Sequence, residues 1–339
     1  MGVDIGALFR QEKISINDLH DRVIAIDAYN VIHQFLSSIR GRDGTPLKNS
    51  KGEITSHISG LFYRTGNLVN ARIRPVFVFD GKPHPLKMKT IQERKKRKEI
   101  AEKEYQEALE AGDMKKARMK AQQTSRVTDE IVKQSKEFLD ALGIPHIQAP
   151  SEGEAQASHM AKKGDAFAVG SQDYDCLLLG SPVLVRNLTS SERRKLPGKE
   201  SYVKLYPKQI KLKSNLKSLG IKQKQLVDMA ILIGTDFNDG IKGIGPKKSL
   251  SLIKKNGNVE NVYATIGKDP LTFDEIKEIR KIFLEPEVND NYKLEWPGFD
   301  KDEVIKLLCD KYQFTQERIE PILEKFSNIE NMMKQKTLF

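Results

Sequence analysis

The spacing of apolar residues along the chain predicts an α/β protein. Several short apolar runs indicate buried parallel strands, and helix-forming sequence separates them. They lie at 23–27, 75–80, 144–148 and 166–170. Strands that alternate with helices are typical of βαβ units, so we expect a mostly parallel central sheet flanked by helices.

The predicted secondary structure changes in the second half of the chain. Residues 182–186 and 201–206 predict an added antiparallel pair of strands. From residue 207 onward the pattern is helical, apart from a stretch near 285–300 that Pro and Gly interrupt. We therefore expect the sheet in the first two thirds of the chain and a helical region after it.

Residues 87–135 interrupt the sheet pattern. They hold few apolar residues and many helix formers, with a break at Gly112-Asp113, which predicts two highly charged helices protruding from the core. Seven cations stand against one acid, Glu93, between 87 and 98, and Lys87 and Arg94 share one helix face because they are seven apart. The cations are Lys87, Lys89, Arg94, Lys95, Lys96, Arg97 and Lys98. Such a run is either a solvated helix face or a grip on a phosphate backbone.

Composition narrows the class of protein. The 339 residues carry a net charge of +11, which favours a polyanionic partner such as nucleic acid. No stretch approaches the roughly 18 apolar residues of a membrane span, so no membrane partner is expected. Cys176 and Cys309 lack a CxxC spacing, which argues against a disulfide scaffold or a structural zinc site and for a reducing, intracellular compartment.

Seven carboxylates are the strongest chemical signal, and most of them follow an apolar run. They are Asp27, Asp80, Glu152, Glu154, Asp173, Asp175 and Asp236. Carboxylates that converge at strand ends repel one another unless they are protonated, paired or neutralised by a metal. Oxygen ligands without nearby His or Cys suit Mg²⁺ or Mn²⁺, and two such ions can activate water and stabilise a leaving oxygen.

Each acid also has a simpler interpretation. Asp27, Asp80 or Asp236 alone could cap a helix or turn, and Asp173 and Asp175 could be turn residues. Ser151 and Glu154 match a capping box, although that pattern leaves Glu152 unexplained. Spacing alone leaves these interpretations open.

Residues 241–250, IKGIGPKKSL, predict a helix-hairpin-helix turn. Gly243 and Gly245 allow the backbone to approach a phosphate, and free amides at the start of the next helix attract an anion. Lys247 and Lys248 add positive charge. The alternative is an ordinary turn between two helices.

Taken together, these segments resemble the flap endonucleases, members of the structure-specific 5′-nuclease superfamily. The matching segments span nearly the whole chain in family order: AIDAYNVIHQFL, TSHISGLFYRT, PVFVFDGKPHPLK, APSEGEAQA, SQDYDCLLLGSPVLVRNLT, GTDFNDGIKGIGPKK and FLEPEV. The resemblance implies a PIN-like nuclease core with a helical arch, and the short tail indicates an archaeal-type relative. It implies metal-dependent cleavage of 5′ flaps at branched DNA, with 5′-3′ exonuclease activity, in replication and repair.

The resemblance also implies residue roles. Asp27, Asp80, Glu152 and Glu154 would surround one Mg²⁺ and Asp173, Asp175 and Asp236 a second, with Mn²⁺ as a substitute. Lys87 and Arg94 would be the catalytic basic pair at the base of the arch. The hairpin around Gly243 and Gly245 would bind duplex DNA with a potassium ion.

Further contacts follow from the same resemblance. The Gly2 amine, Glu152, Arg40, Lys247 and Lys248 would contact DNA, as would His33, which occupies the position of a DNA-stacking Tyr in eukaryotic relatives. Gln335, Leu338 and Phe339 match the start of a sliding-clamp peptide that ends after one aromatic residue. A truncated, fused or weakened clamp peptide and a frayed terminus remain alternatives.

The expected domain layout follows the motifs. The nuclease core is expected at 1–86 and 136–240, on either side of the arch at 87–135. It is followed by the hairpin at 241–256, a helical region at 257–328 and a tail at 329–339. We expect a monomer. The competing functions are a 5′ exonuclease or junction resolvase of the same superfamily, and a non-catalytic DNA-binding scaffold.

Overall fold

The computed structural model describes residues 2–41, 43–190, 193–195 and 202–336. Its central sheet has seven strands in the order β1-β9-β6-β5-β2-β3-β4, and β7 and β8 form a separate hairpin. The strands are β1 Glu12–Lys13, β2 Val23–Asp27, β3 Arg74–Phe79, β4 His146–Gln148, β5 Ala168–Gly170, β6 Val183–Arg186, β7 Arg193–Lys195, β8 Tyr202–Lys204 and β9 Lys208–Lys211.

The centre of the sheet is parallel, as predicted. β2 pairs in parallel with both β3 and β5, and the parallel pairs β3–β4 and β5–β6 extend it on either side. Adjacent residues of β3 are buried on opposite faces, because Val76 and Val78 belong to one hydrophobic cluster and Phe77 and Phe79 to the other. Burial on both faces explains why this strand has a continuous apolar sequence.

The predicted antiparallel pair of 182–186 with 201–206 is wrong. β6 pairs with β9 instead, in the register Val183↔Lys211, and β8 pairs with β7. β9 escaped prediction because its sequence, KQIK, has lysines at both ends, although Gln209 and Ile210 are buried. Ile210 is the one apolar side chain of this short strand, which pairs with β1 on one side and β6 on the other.

Helices cover both faces of the sheet. They are α1 Ala28–Ser38, α2 Ser56–Asn70, α3 Met88–Glu110, α4 Met114–Gln123, α5 Asp129–Ala141, α6 Gly153–Lys163, α7 Asp175–Leu178, α8 Leu212–Leu219, α9 Gln223–Ile233, α10 Pro246–Asn256, α11 Val259–Ile266, α12 Phe273–Leu284, α13 Lys301–Ile305 and α14 Gln316–Lys336. One hydrophobic cluster includes α6, α9 and α12, and the other includes α1, α2 and α5. Within the described ranges, none of the helices combines the length and apolar character needed to cross a bilayer.

The charged segment forms the two predicted helices, α3 and α4, but its last residues, 129–135, are the first half of α5, which packs in the core. Gly112 adopts a left-handed backbone conformation between α3 and α4, with φ +70°. Among their side chains only four alanines are buried, which we call the alanine seam: Ala101, Ala108, Ala117 and Ala121. We call α3 and α4 together the arch.

Candidate active site

The predicted acidic residues converge. The carboxyl ends of β2, β3 and β5 meet at one edge of the sheet because these strands are parallel, and a cleft of about 1520 Å³ opens there. All seven predicted acids line it: Asp27, Asp80, Glu152, Glu154, Asp173, Asp175 and Asp236. The arch base, His33 and residues 285–287 line the same cleft.

Asp27 ends β2 and also caps α1. Its Oδ1 accepts a hydrogen bond of 3.0 Å from the backbone N–H of Asn30, so the capping interpretation and the site interpretation both hold. The side chain of Asn30 donates to Asp173 Oδ2 at 3.0 Å. One asparagine therefore connects the carboxylate at the end of β2 to a carboxylate in the loop after β5.

Asp80 and α6 are held together by a backbone contact. Asp80 Oδ1 accepts from Gly153 N at 2.6 Å, and a Cβ at position 153 would lie 2.7 Å from the same oxygen. The close approach therefore requires glycine. Glu152 is the N-cap residue of α6, without a side-chain cap bond, so its carboxylate is directed to the site rather than to the helix end.

Glu154 does not form the capping box that its spacing allowed. Helix α6 is capped at Glu152, not at Ser151, and Glu154 Oε1 accepts from Ser171 Oγ at 2.7 Å and from Cys176 Sγ at 3.3 Å. The first turn of α6 thus directs Glu154 toward the loop that follows β5.

The amino-terminal segment contacts Asp175. Val3 N donates to Asp175 Oδ1 at 2.8 Å, and a Cβ at Gly2 would lie 2.4 Å from that oxygen. Gly2 is therefore next to the acidic cluster, and a side chain there would displace Asp175. A DNA contact by Gly2 stays a prediction.

The base of the arch meets the acids on the opposite wall of the cleft. Lys87 Nζ contacts the Glu152 carboxylate and lies 3.7 Å from Asp236 Oδ2, and Arg94 Nη2 lies 2.5 Å from Asp236 Oδ1. Thr90 Oγ1 donates to the Asp236 backbone carbonyl at 2.8 Å. Both predicted catalytic cations therefore point at the predicted metal acids.

Burial and mutual repulsion perturb the cluster. Desolvation, followed by the charge of Asp80, raises the pKa of Asp27, and desolvation followed by Asp173 raises the pKa of Glu154. Desolvation also raises the pKa of Asp80 to about 6 and that of Asp175 to about 7. Carboxylates in this environment are stabilised as anions by added positive charge.

The pKa of Lys87 is raised. Burial acts against its charge, but the carboxylates of Glu152, Asp236 and Asp80 outweigh that effect. Lys87 is therefore a cation at neutral pH.

The donor set fits hard divalent ions. Carboxylate oxygens are the ligands that Mg²⁺ and Mn²⁺ prefer, and the buried carboxylates have raised pKa values. No three His, Cys, Asp or Glu side chains in the described ranges have the spacing of a preformed metal shell. Contacts with Lys87, Arg94 and backbone amides hold several of these oxygens, so metal binding requires small side-chain adjustments.

The helix-hairpin-helix prediction corresponds to α9, a turn and α10. Gly243 has φ +85°, Gly245 is the N-cap residue of α10, and Pro246 occupies its first turn. A Cβ at either glycine would meet open space, and both glycines are exposed. Lys247 and Lys248 are exposed beside them. DNA and potassium binding here stay predictions.

Two other predicted DNA contacts differ in their surroundings. His33 lines the cleft, and partial desolvation followed by the charge of Lys98 lowers its pKa. Arg40 is held by the protein: its guanidinium donates to Leu36 O at 2.8 Å, to Gly44 O at 2.7 Å and to Ser125 Oγ at 2.6 Å. Arg40 therefore joins the end of α1 to the segment that follows the arch, and a DNA contact is still a prediction.

The predicted clamp peptide is not tested. Leu338 and Phe339 lie outside the described residues, as does the side chain of Gln335, whose backbone belongs to α14.

The sequence reasoning missed three neutral residues of the cluster. Asn30, Ser171 and Cys176 each contact one or more of the acids. A search for charged residues passes over them. Asn30 follows Asp27 by three positions, the spacing of an N-cap bond, and Ser171 follows the last residue of β5. These positions were the only sequence signal that could have placed them in the site.

Comparisons with known proteins identify the class. The XPG N-terminal domain matches residues 6–101, and the XPG I-region matches residues 143–236. A solved structure of the catalytic core of Rad2 in complex with DNA substrate is 26% identical, covers 95% of this chain and 96% of its own, and has a TM-score of 0.66. The fold and the acidic cleft therefore define a DNA nuclease of the XPG class.

Closer relatives identify the family. Flap endonuclease 1 from Archaeoglobus fulgidus is 49% identical over 331 residues, which are 98% of this chain and 97% of the relative. The solved flap endonuclease-1 from Methanococcus jannaschii is 42% identical, with a TM-score of 0.76 over 97% of this chain and 98% of its own. The chain belongs to the flap endonuclease 1 family, which confirms the expected α/β fold and the expected nuclease class.

Proposed function

We propose that the chain hydrolyses DNA phosphodiesters at branched duplexes carrying a 5′ flap, with 5′-3′ exonuclease activity, using two Mg²⁺ ions that Mn²⁺ can replace. The observation that carries this proposal is the single cleft that brings seven carboxylates beneath the two arch-base cations. Relatives along the whole chain carry the name flap endonuclease 1. Replication and repair are the processes that this activity serves.

The assignment of the acids to two ions follows the resemblance to the flap endonucleases. Asp27, Asp80, Glu152 and Glu154 would hold one ion, and Asp173, Asp175 and Asp236 the other. Ions held in this way supply an activated water and stabilise the oxygen that leaves. The chain itself fixes the carboxylates through the amides of Val3, Asn30 and Gly153.

Lys87 and Arg94 act on the reacting phosphate. Their contacts with Glu152 and Asp236 hold both cations over the acidic cluster, where a phosphodiester must enter. Fixed positive charge at this point stabilises the negative charge that develops on the phosphate oxygens in the transition state. The raised pKa of Lys87 keeps that charge in place at neutral pH.

Other surfaces would hold the substrate and partners. The exposed glycines and lysines of the hairpin suit a duplex phosphate and a potassium ion, while His33 and Gly2 line the cleft. A clamp contact through Gln335, Leu338 and Phe339, a monomeric state and an intracellular location are parts of the same proposal.

The test is Asp175→Asn. Its carboxylate is buried in the cleft, so we expect flap-DNA binding to persist and cleavage to be lost. Asp302→Asn is the matched control, because it removes the same charge from an exposed position on α13. Full cleavage by Asp175→Asn would contradict the proposed metal site.

The substrate class needs its own comparison. Flap, nicked and four-way duplexes of equal length should be cleaved in that order of preference. A preference for four-way junctions would favour a resolvase, and DNA binding without cleavage at any Mg²⁺ or Mn²⁺ concentration would favour a scaffold.

A further inference from the structure

Two neutral side chains connect carboxylates that belong to different elements. Asn30 lies in the first turn of α1, where its backbone N–H binds Asp27 and its side chain binds Asp173 Oδ2 at 3.0 Å. Ser171 follows β5, where its hydroxyl donates to Glu154 Oε1 at 2.7 Å and accepts from Asp173 N at 3.1 Å. These bonds form one chain from β2 through the loop after β5 to α6.

The electrostatics of the cleft indicate what this series of hydrogen bonds does. The charges of Asp173 and Asp27 both act on Glu154, so these carboxylates lie close enough to repel one another. A neutral donor can bond to a carboxylate and leave its negative charge available to a metal ion. Lys87 and Arg94 instead neutralise the charge of the carboxylates that they contact. Ser171 is 4% exposed, so water offers little replacement for its hydroxyl.

We propose that Asn30 and Ser171 are positioning residues that set the spacing of Asp27, Asp173 and Glu154 for metal binding. The inference rests on the proposed two-ion function. Neither residue supplies a charge or belongs to the seven acids. They act through the carboxylates, as partners that orient metal ligands do in other proteins.

The variants separate orientation from general packing. Asn30→Ala removes the side-chain bond to Asp173 but keeps the backbone bond to Asp27, because that donor is the amide of residue 30. Ser171→Ala removes the hydroxyl, whereas Ser171→Thr keeps it. A small cavity of about 10 Å³ lies beside Ser171 and Asn30.

Two other residues serve as controls. Ser135 is buried in α5 and donates to Ile131 O at 2.7 Å, while Asn215 is buried in α8 and accepts from Arg10 N at 2.7 Å. Neither lines the acidic cleft. Ser135→Ala therefore removes one buried hydrogen bond and Asn215→Ala three partly buried ones, and neither touches a carboxylate of the cluster.

The experiment measures Mn²⁺ binding to the DNA-free protein by calorimetry, together with the Tm of the metal-free protein. We expect Asn30→Ala and Ser171→Ala to weaken Mn²⁺ binding by about 10- to 100-fold, Ser171→Thr to restore most of the affinity, and the controls to lower the Tm without weakening Mn²⁺ binding. Wild-type affinity in both alanine variants, or an equal loss in the controls, would overturn the inference. Absence of Mn²⁺ binding to the wild-type protein would overturn the proposed function as well.

Discussion

A largely buried ion-pair network joins α9, α11 and α12, and Glu260 is its most exposed member, at 27%. Arg280 of α12 donates through Nε to Asp228 Oδ1 of α9 at 2.6 Å, and through both terminal nitrogens to Glu260 of α11 at 2.5 and 2.7 Å. The Asp228 side chain is 1% exposed and that of Arg280 12%. The network therefore fixes how α11 and α12 pack against the first helix of the hairpin.

Arg280→Met should strongly destabilise the protein. The substitution leaves Asp228 and Glu260 without their cation, and removing one partner of a buried pair costs about 3–5 kcal/mol. Replacing the whole network, as Arg280→Met with Asp228→Leu and Glu260→Met, removes the desolvated charges together. We expect that triple variant to regain most of the free energy of unfolding, because apolar replacement of a complete buried network is often neutral.

The pH dependence provides a second signature. Burial already raises the pKa of Asp228, although Arg280 acts to lower it, so loss of Arg280 raises that pKa further. A carboxyl whose folded-state pKa is raised contributes stability that is lost as the pH rises through that pKa. The deficit of Arg280→Met should therefore be larger at about pH 8 than at about pH 5.

Urea denaturation followed by circular dichroism measures both quantities. The single variant, the triple variant and the wild type would be compared at the two pH values. A cost below about 1 kcal/mol for Arg280→Met would refute the reasoning, because that is the range of exposed ion pairs. A deficit that does not change with pH would show that Asp228 does not carry the unpaired charge.

Three further outcomes follow from the structure. Lys87→Ala should slow flap cleavage more than it weakens DNA binding, measured by single-turnover kinetics and anisotropy, and equal losses would reduce Lys87 to a simple phosphate contact. Lys247→Gln with Lys248→Gln should lower the slope of log affinity against log salt by up to about 1.8, and an unchanged slope would remove the hairpin from the DNA interface. Burial lowers the pKa of His57 to about 4. The unfolded chain therefore binds a proton at a higher pH than the folded protein does. About 3 kcal/mol of the free energy of unfolding is present above about pH 6.5 and is lost as the pH falls toward 4. His57→Asn should abolish that part of the acid sensitivity in urea titrations, and an unchanged profile would contradict it.

The sequence predicted the parallel sheet and the acidic cluster for one physical reason. Asp27 and Asp80 directly follow apolar strands, and parallel strands bring their carboxyl ends to one edge. The same reasoning failed at β9, where pairing depends on Ile210 and on a register that no local pattern encodes. Short strands of this kind depend on tertiary packing more than on propensity.

Other features had no sequence signal that could decide between interpretations. Glu154 matched a capping box, and only the placement of Ser171 and Cys176 shows that its carboxylate faces the cleft. Arg40 matched a DNA contact, while its donors bond to Leu36, Gly44 and Ser125. Hydrogen bonds between distant segments are properties of the assembled fold, so spacing along the chain does not reveal them.

The alanine seam sets the local stability of the arch. An alanine methyl contributes only about 0.8 kcal/mol when it is buried, far less than the large side chains between the sheet and its helices. The amide hydrogens of α3 and α4 should therefore exchange with solvent through local opening, while the strands below keep theirs until the whole molecule unfolds. Local opening of the arch would leave Asp27 in place, because that carboxylate ends a central strand of the sheet.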